Sequence, residues 1–409
     1  MKFSFWPALK SKRWEKVMLL NSNSQDNRWM LALGEKRSVT LTADDQPFEK
    51  LEAFQKEKKS WLFGHLSYDL KNAVEDLSTK AASPLEFPDL HFFEPEIVVE
   101  HRDGELNFHT GKIHRTEIEE LLQSTFNFEK EGEVILRNRI SRKEYIESIN
   151  RILKHIQLGD VYEMNFCQEF FAENVKIDPA TVYHRLNGFS EAPFSAFYKL
   201  DDQFLISASP ERFLKKEKNK IISQPIKGTT KRGKDEAEDS ELREQLQNDP
   251  KERAENVMIT DLVRNDLSRF AGKGSVKVDE LCGIHSFKTV HQMISTVSCE
   301  VSEKVGLAKI LRSTFPMGSM TGAPKVSSMQ LIERYENMKR GLYSGSVGYI
   351  TPDGDFDFNV VIRSLQFNSA NHYLSAMVGG AITSGSIPEK EYEECLLKAE
   401  ALRKALVLS

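Results

Sequence analysis

Apolar side chains recur at helical spacing near the middle of the chain, between residues that can begin and end a helix. Ser141 and Glu144 have the spacing of a capping box, in which each side chain bonds the backbone N–H of the other residue. Gly159 is a typical residue at a helix end, because glycine readily adopts the left-handed backbone conformation. The pattern predicts an amphipathic helix between Ser141 and Gly159, with apolar positions at Tyr145, Ile149, Ile152 and Ile156.

A second predicted helix, from about residue 250 to 269, has apolar residues on nearly every side. Asp249 can cap it, and Pro250 suits its first turn. A helix that is apolar all round is normally buried, and buried charges need a charged partner or a metal ion. The apolar residues are Val257, Met258, Ile259, Leu262, Val263 and Leu267, and the charged ones are Glu255, Asp261, Arg264 and Asp266.

Two pairs of glutamates have a spacing of three residues, which places both members of a pair on one face of a helix. Glu252 and Glu255 form the first pair, and Glu391 and Glu394 form the second, near the end of the chain. Structural roles are also open to them: a capping box for Glu252, an arginine partner for Glu255, and an ion pair of Glu394 with Lys398. If the two helices converge, the four carboxylates would offer hard oxygen ligands for Mg²⁺.

The remaining pattern is one of short apolar runs separated by turns, which is typical of strands and indicates an α+β protein. Residues 204–208 are one such strand-like run. The charged stretch 129–133 predicts a linker, so we divide the chain into an N-terminal region, 1–135, and a second region, 136–409. The dense charge of residues 231–253 favours a solvated loop and helix face, with a mobile lid as the alternative.

The amino-acid composition excludes several classes of function for this protein. The 409 residues include 56 Lys and Arg against 61 Asp and Glu, a net charge of −5 with neutral histidines. This mild acidity argues against a general nucleic-acid or membrane binder, although an anionic small substrate needs only local positive charge. The four cysteines show no CxxC spacing, the N-terminus lacks the apolar segment of a signal peptide, and no apolar run approaches the length of a membrane helix. We therefore expect a cytoplasmic protein with reduced cysteines.

Three side chains are candidates for acid–base or nucleophilic chemistry. Lys227 lies in a Pro-Ile-Lys-Gly-Thr turn, where burial or a neighbouring cation such as Arg232 would lower its pKa and make it a nucleophile. The alternative is that Lys227 is an ordinary surface residue, as most single lysines are. Glu211 could be a general acid, or it could pair with Arg212. His291 by itself is more typical of a hydrogen-bonded core histidine.

Three further features could bind an anionic ligand. The Gly/Ser/Thr-rich loop 316–325 enters a predicted helix and could offer backbone N–H groups, although it lacks the residue order of a P-loop. Gly379 and Gly380 lie in one predicted strand and allow close approach of a ligand or a neighbouring strand. Arg363, at the end of a strand predicted over 359–362, could bind a carboxylate through both arms of its guanidinium.

Together these motifs resemble the chorismate-utilising enzymes. The resemblance runs from about residue 140 to residue 409, and the motifs match in order as well as in residue type. It implies a large two-layer sandwich of the α+β class, with extensive antiparallel sheets flanked by helices and a cleft between the sheets. The motifs are Gly159–Asn165, Ser209–Phe213, Pro225–Thr229, Arg253–Asn256, Asp261–Leu267, Thr321–Lys325 and Tyr392–Glu394.

Within that family, the lysine of the Pro-Ile-Lys-Gly-Thr motif resembles the branch that aminates chorismate at C4, in the synthesis of 4-aminobenzoate and folate. The anthranilate-forming branch typically has alanine at this position. Glu163 departs from the family pattern, since amine-using members usually have glutamine there and water-using members have a catalytic lysine. Leu19–Ser22 resembles the tryptophan-binding motif of these enzymes, with asparagine in place of glutamate.

The resemblance also implies a metal site and a substrate site. In the family, Mg²⁺ bridges the ring carboxylate of chorismate and the glutamates that match Glu255 and Glu394, while Glu252 and Glu391 match supporting residues. The metal would neutralise part of a dianionic substrate and orient its ring. The residues implied to bind the substrate are Arg363, Gly379, Gly380, Thr229 and Lys325.

By the same resemblance, Lys227 attacks C2 of chorismate while Glu211 protonates the leaving C4 hydroxyl, and His291 lies near that hydroxyl. Ammonia then attacks C4 and expels the lysine. The sequence contains no recognisable glutaminase unit, so we expect the ammonia to be free or to come from a separate glutamine amidotransferase subunit. Two alternatives are an anthranilate-forming enzyme, which adds nitrogen at C2, and a non-catalytic chorismate-binding subunit.

Overall fold

A computed structural model describes residues 3–79, 81, 83–125 and 132–407. These residues form two antiparallel sheets flanked by helices, which confirms the predicted α+β sandwich. The helices are α1 (Trp6–Lys10), α2 (Pro47–Glu57), α3 (Arg115–Gln123), α4 (Arg142–Leu158), α5 (Pro179–Ser190), α6 (Glu236–Asn248), α7 (Pro250–Ser268), α8 (Leu307–Thr314), α9 (Lys325–Tyr335) and α10 (Pro388–Leu406), with short 3₁₀ turns at Ala43–Asp45, Tyr68–Ala73, Lys112–His114 and Gly318–Met320.

The strands divide between an 11-stranded and a 10-stranded sheet within the described residues. They are β1 (Lys16–Asn21), β2 (Trp29–Leu33), β3 (Arg37–Leu41), β4 (Leu62–Leu66), β5 (Leu90–Glu94), β6 (Ile97–Arg102), β7 (Glu105–Thr110), β8 (Arg137–Asn138), β9 (Glu163–Ala172), β10 (Phe194–Leu200), β11 (Gln203–Ser209), β12 (Arg212–Glu217), β13 (Lys220–Gln224), β14 (Ile226–Lys231), β15 (Lys277–Ser286), β16 (Val290–Glu300), β17 (Gly322–Ala323), β18 (Ser346–Ile350), β19 (Phe356–Asn359), β20 (Ser364–Asn368) and β21 (Tyr373–Thr383).

Strand order brings distant parts of the chain side by side. The first sheet has the order β17-β9-β21-β20-β11-β10-β1-β2-β6-β7, with β8 beside β9. The second has the order β14-β16-β13-β12-β19-β18-β4-β5-β3, with β15 beside β16. Strands of residues 1–135 thus extend both sheets. Part of the predicted linker lies outside the described residues, so the division into 1–135 and 136–409 stays a prediction.

The two sheets pack against each other and against the helices. Met18 and Tyr198 of the first sheet belong to one apolar cluster with Phe63 and Phe93 of the second. Helices α4, α5 and α10 cover the first sheet, while α2, α7 and α8 cover the second. All four cysteines are buried and free. Among the described helices, none combines the length and the apolar character needed to span a bilayer.

The helix predicted between Ser141 and Gly159 is confirmed as α4. The Ser141 hydroxyl accepts a hydrogen bond from the Glu144 backbone N–H at 3.2 Å, and the Glu144 carboxylate accepts one from the Ser141 N–H at 2.7 Å. Gly159 ends the helix with φ of 84°. Tyr145 and Ile149 are fully buried, as the apolar spacing predicts.

Helix α7 begins as predicted but is not buried on every side. The Asp249 carboxylate accepts hydrogen bonds from the backbone N–H groups of the first turn, each at 2.9 Å. Ile259 and Leu267 pack in the core, whereas Val257 is 45% exposed on the opposite side. The prediction of all-round burial was wrong, because α7 packs against β14, β15 and β16 on one side and leaves residues such as Val257 on the other side exposed.

Candidate active site

A cavity of about 540 Å³ lies between the two sheets, with α7 and α10 along it. The first sheet contributes residues of β9 and β21, and the second contributes residues of β14 and β16. These elements are distant in sequence, so the cavity depends on the packing of the two sheets. The residues singled out from the sequence that line it are Glu211, Lys227, Thr229, Glu252, Glu255, Arg363, Gly379, Gly380 and Glu394.

Lys227 projects from β14 into this cavity, and its side chain is only 10% exposed. Its Nζ donates a hydrogen bond to Glu163 Oε1 at 2.6 Å. Burial acts to lower the pKa of Lys227, but the negative charges of Glu163 and Glu255 prevail and raise this pKa above its ordinary value. The expected lowering was therefore wrong for this state. Arg232 does not lower the pKa of Lys227 either, because its guanidinium binds Asp239 at 2.7 Å.

Glu211 lies in the turn between β11 and β12 and is buried. Burial raises the pKa of Glu211 to about 7, against the opposing effects of a hydrogen bond with Ser319 and the charge of Lys227. A carboxyl group with a pKa near 7 can hold a proton at neutral pH and donate it. The alternative pairing with Arg212 is not formed, since Arg212 binds Asp357 at 2.9 Å.

Arg363 connects two strands that belong to different sheets. The strand predicted over residues 359–362 was wrong in its bounds, since β19 ends at Asn359 and residues 360–362 form no strand. Arg363 then adopts a left-handed backbone with φ of 52° before β20 begins. A non-glycine residue in this conformation is strained by about 1–3 kcal/mol, and such strain is concentrated at ligand-binding sites. Burial lowers the pKa of Arg363, and within the described residues its guanidinium has no ion-pair partner. It is therefore free to bind an anion in the cavity.

The glycine pair of β21 lies opposite β9. A Cβ atom on Gly379 would lie 2.5 Å from Cys167 Sγ and 2.8 Å from the Phe166 carbonyl oxygen, so only glycine fits between the strands. A Cβ atom on Gly380 would meet no atom closer than 3.5 Å. The Gly379 carbonyl accepts a hydrogen bond from Lys398 Nζ at 2.8 Å, so this backbone lies within reach of polar groups in the cavity.

The two glutamate pairs come together at one end of the cavity. The charge of Lys251 acts on all four of them, so α7 and α10 do converge around this lysine. Glu255 Oε1 lies 3.8 Å from Lys251 Nζ. The positive charge of Lys251 thus balances only part of the repulsion among the four carboxylates. Glu394 Oε1 bonds Lys398 Nζ at 2.6 Å, which is the structural pairing considered from the sequence.

The electrostatics of these glutamates fit a bound cation. Burial raises the pKa of Glu255 to about 7 and also raises the pKa of Glu252 and of Glu391. Burial would raise the pKa of Glu394 too, but Lys398 lowers it below its ordinary value. Glu255 Oε1 is buried without a hydrogen-bond partner in the described residues.

No group of three or more Asp, Glu, His or Cys side chains is close enough to hold an ion by itself, as far as the described ranges extend. Mg²⁺ usually takes only one or two carboxylates and completes its shell with substrate oxygens and water. The donor set therefore suits a magnesium ion that is held jointly with a substrate.

Three residues implied by the sequence do not line the cavity. His291 is buried, with Nδ1 bonded to Ser286 Oγ at 2.8 Å and Nε2 to Asp239 Oδ1 at 3.0 Å. Lys325 points to Asp266, with which it forms an ion pair. Both side chains are thus bonded to residues outside the cavity lining, and the roles implied for His291 in catalysis and Lys325 in substrate binding stay predictions. Glu391 is buried behind the lining residues.

The family of chorismate binding enzymes matches residues 15–404. The chain belongs to this family. It is a chorismate-utilising enzyme.

Two curated relatives illustrate two branches of that family. Aminodeoxychorismate synthase component 1 of Klebsiella aerogenes is 35% identical over 347 residues, which are 83% of this chain and 75% of the relative. Anthranilate synthase component 1 of Aquifex aeolicus is 33% identical over 370 residues, covering 85% of this chain and 74% of the relative. Among solved structures, anthranilate synthase component I of Streptococcus pneumoniae superposes with a TM-score of 0.83 at 24% identity, covering 92% of each chain.

This chorismate-binding enzyme has cavity residues that the sequence did not single out. Ser319, Lys251 and Tyr343 line the cavity, and Glu163 lies directly behind Lys227. The sequence signals were the departure of Glu163 from the family pattern and the Gly/Ser/Thr-rich loop 316–325, which contains Ser319. The segment that resembles a tryptophan-binding motif lies elsewhere, where Asn21 lines a separate cavity of about 270 Å³.

Proposed function

We propose that this enzyme aminates chorismate at C4 to give 4-amino-4-deoxychorismate. The observation that carries the proposal is Lys227, the lysine of the Pro-Ile-Lys-Gly-Thr motif, lying in the cavity between the sheets with Glu211 near it. A lysine in this place can act as a covalent nucleophile, which divides one difficult displacement into two easier ones. The relative from Klebsiella aerogenes, named for aminodeoxychorismate synthesis, supports the same reaction.

In the proposed reaction, neutral Lys227 attacks C2 of chorismate as the ring double bonds shift and the C4 hydroxyl leaves. Glu211 protonates that hydroxyl, and its pKa of about 7 suits a proton donor at neutral pH. Ammonia then attacks C4 and displaces the lysine nitrogen from C2. We propose that a glutamine amidotransferase subunit supplies this ammonia, and that free ammonia from solution serves when the subunit is absent.

Substrate binding would rest on the positive charges that face the cavity. The Arg363 guanidinium suits a carboxylate of chorismate, because it faces the cavity and, among the carboxylates of the described residues, only the charge of Glu394 acts on it, without an ion pair. The exposed hydroxyl of Thr229 and the open backbone at Gly380 lie in the same lining. A dicarboxylate can therefore bind to a protein whose net charge is negative.

Mg²⁺ is the proposed cofactor. Glu255 and Glu394 would hold it, with Glu252 and Glu391 as supporting charges, since α7 and α10 bring these four carboxylates together around Lys251. When bound, the ion would supply positive charge that balances the carboxylates of the substrate.

Lys227→Ala tests the proposal most directly. The protein would be incubated with chorismate, Mg²⁺ and an ammonium salt, and products would be separated by chromatography. We expect the wild type to form aminodeoxychorismate, and the variant to lose on the order of 10³-fold or more of this activity. Lys220→Ala, which removes an exposed lysine of β13 in the same sheet, is the matched control and should remain active. Undiminished amination by Lys227→Ala would contradict the covalent role.

A second candidate function is anthranilate synthesis, which the relative from Aquifex aeolicus favours at nearly equal identity. That reaction attaches nitrogen at C2, the carbon that Lys227 is proposed to attack. The same incubation separates the two, because anthranilate is fluorescent and would form without any added lyase. Its appearance would replace the proposed function.

A further inference from the structure

Glu163 is a buried carboxylate in direct contact with the proposed nucleophile. It begins β9, where its backbone pairs with Ala323 on one side and Thr383 on the other. Its side chain is 1% exposed, and Oε1 lies 2.6 Å from Lys227 Nζ. Its carbonyl accepts a hydrogen bond from Ser328 Oγ at 3.1 Å. Several separate parts of the chain thus fix the position of this carboxylate.

The second carboxylate oxygen of Glu163 is buried and has no hydrogen-bond partner in the described residues. A buried carboxylate is destabilising unless its oxygens are satisfied, and Lys227 bonds only one of them. Transfer of the lysine proton to Glu163 would neutralise both buried groups at once. The contact therefore suits a proton transfer as well as an ion pair.

Lys227 needs a proton acceptor before it can attack. Carboxyl groups act on it from β9, from the turn after β11 and from α7: Glu163, Glu211, Glu255 and, more weakly, Glu252. Burial opposes their effect, but together they raise the pKa of Lys227, so the lysine rests as an ammonium ion without a lone pair. Glu211 is the proposed donor to the hydroxyl, and Glu255 is a proposed metal ligand. Within the described residues, Glu163 is the carboxylate that is hydrogen-bonded to Nζ.

We propose that Glu163 is the base that takes the proton of Lys227 when the lysine attacks C2, an inference that rests on the proposed function. The lone pair left on Nζ forms the bond to C2, the ring double bonds shift, and the C4–O bond breaks as Glu211 supplies the proton with which the hydroxyl leaves as water. Ammonia then bonds to C4 while the C2–N bond breaks, and the new amine returns one proton to Glu211. The released lysine finally recovers its proton from Glu163.

Glu163→Gln keeps the size and hydrogen-bonding shape of the side chain but cannot accept a proton. The lysine of this variant must lose its proton to solvent, so formation of the covalent adduct should be on the order of 100-fold slower at pH 7 and should rise with pH. The wild-type rate should stay flat over the range in which the pair holds one proton. The protein would be incubated with chorismate and Mg²⁺ but without ammonia, and the reaction would be stopped with acid. Mass spectrometry of the intact protein then measures the adduct, whose mass exceeds that of the free protein by one chorismate minus one water.

Two further variants make the result specific. Glu169→Gln also removes a buried carboxylate from β9, one that binds Arg139 at 2.9 Å, and it should keep the wild-type pH profile. Glu163→Asp retains the base at shorter reach, so its rate should fall while its profile stays flat. A Glu163→Gln profile that is as flat as the wild type would overturn the inference and leave a structural role. A wild-type protein that forms no adduct would overturn the proposed function with it.

Discussion

Replacement of Glu211 by glutamine should stabilise the protein at alkaline pH while impairing its chemistry. Glu211 is 4% exposed, and burial raises the pKa of its carboxyl group from 4.5 to about 7. In the unfolded chain this group ionises near its ordinary value. Between these two pH values the folded state retains a proton that the unfolded state has lost, so stability declines as pH rises and the decline is complete above pH 7.

The size of this effect follows from the two pKa values. At about 1.4 kcal/mol per pH unit, the difference between 4.5 and about 7 corresponds to about 3 kcal/mol of lost stability above pH 8. Glu211→Gln removes the ionisable group and resembles the protonated acid. The variant should exceed the wild type by no more than about 1 kcal/mol near pH 5 and by up to about 3 kcal/mol at pH 8.

Urea denaturation at pH 5 and pH 8 measures this difference in the free energy of unfolding. Glu217→Gln is the control, because Glu217 is an exposed residue of β12 whose pKa is lowered by Lys215. Its replacement should bring no gain at pH 8, since a lowered pKa contributes stability at high pH. If Glu211→Gln were equally or less stable than the wild type at both pH values, Glu211 would not be held neutral by burial, and its assignment as a proton donor would lose its physical basis.

Two other variants test the metal site and the strand packing. In the presence of chorismate, bound Mg²⁺ should raise the melting temperature of the protein. Glu255→Gln should increase the Mg²⁺ concentration that gives half of this rise by about tenfold or more, as measured by thermal melts. An unchanged Mg²⁺ dependence would exclude Glu255 as a ligand. Gly379→Ala should destabilise the fold by about 1–3 kcal/mol in urea denaturation, because its Cβ would lie 2.5 Å from Cys167 Sγ, whereas Gly380→Ala, with no atom within 3.5 Å, should be nearly neutral. Equal effects of the two alanines would contradict this packing.

Local features of this protein could be predicted from the sequence because they depend on residues a few positions apart. The capping box of Ser141 and Glu144 forms as its spacing predicts. The helical face shared by Glu252 and Glu255 follows from helix geometry alone. The order of motifs along the chain was likewise sufficient to identify the family and with it the two-sheet fold.

The tertiary structure decided which groups meet. Lys227 and Glu163 are 64 residues apart in sequence and touch only because β14 and β9, from different sheets, face the same cavity. That contact reverses the expected direction of the lysine pKa. Lys325 pairs with Asp266 rather than facing the substrate, again through packing that local spacing does not encode. Local geometry thus set which residues share a helix face or a turn, and only the arrangement of the sheets set the charge that surrounds each of them.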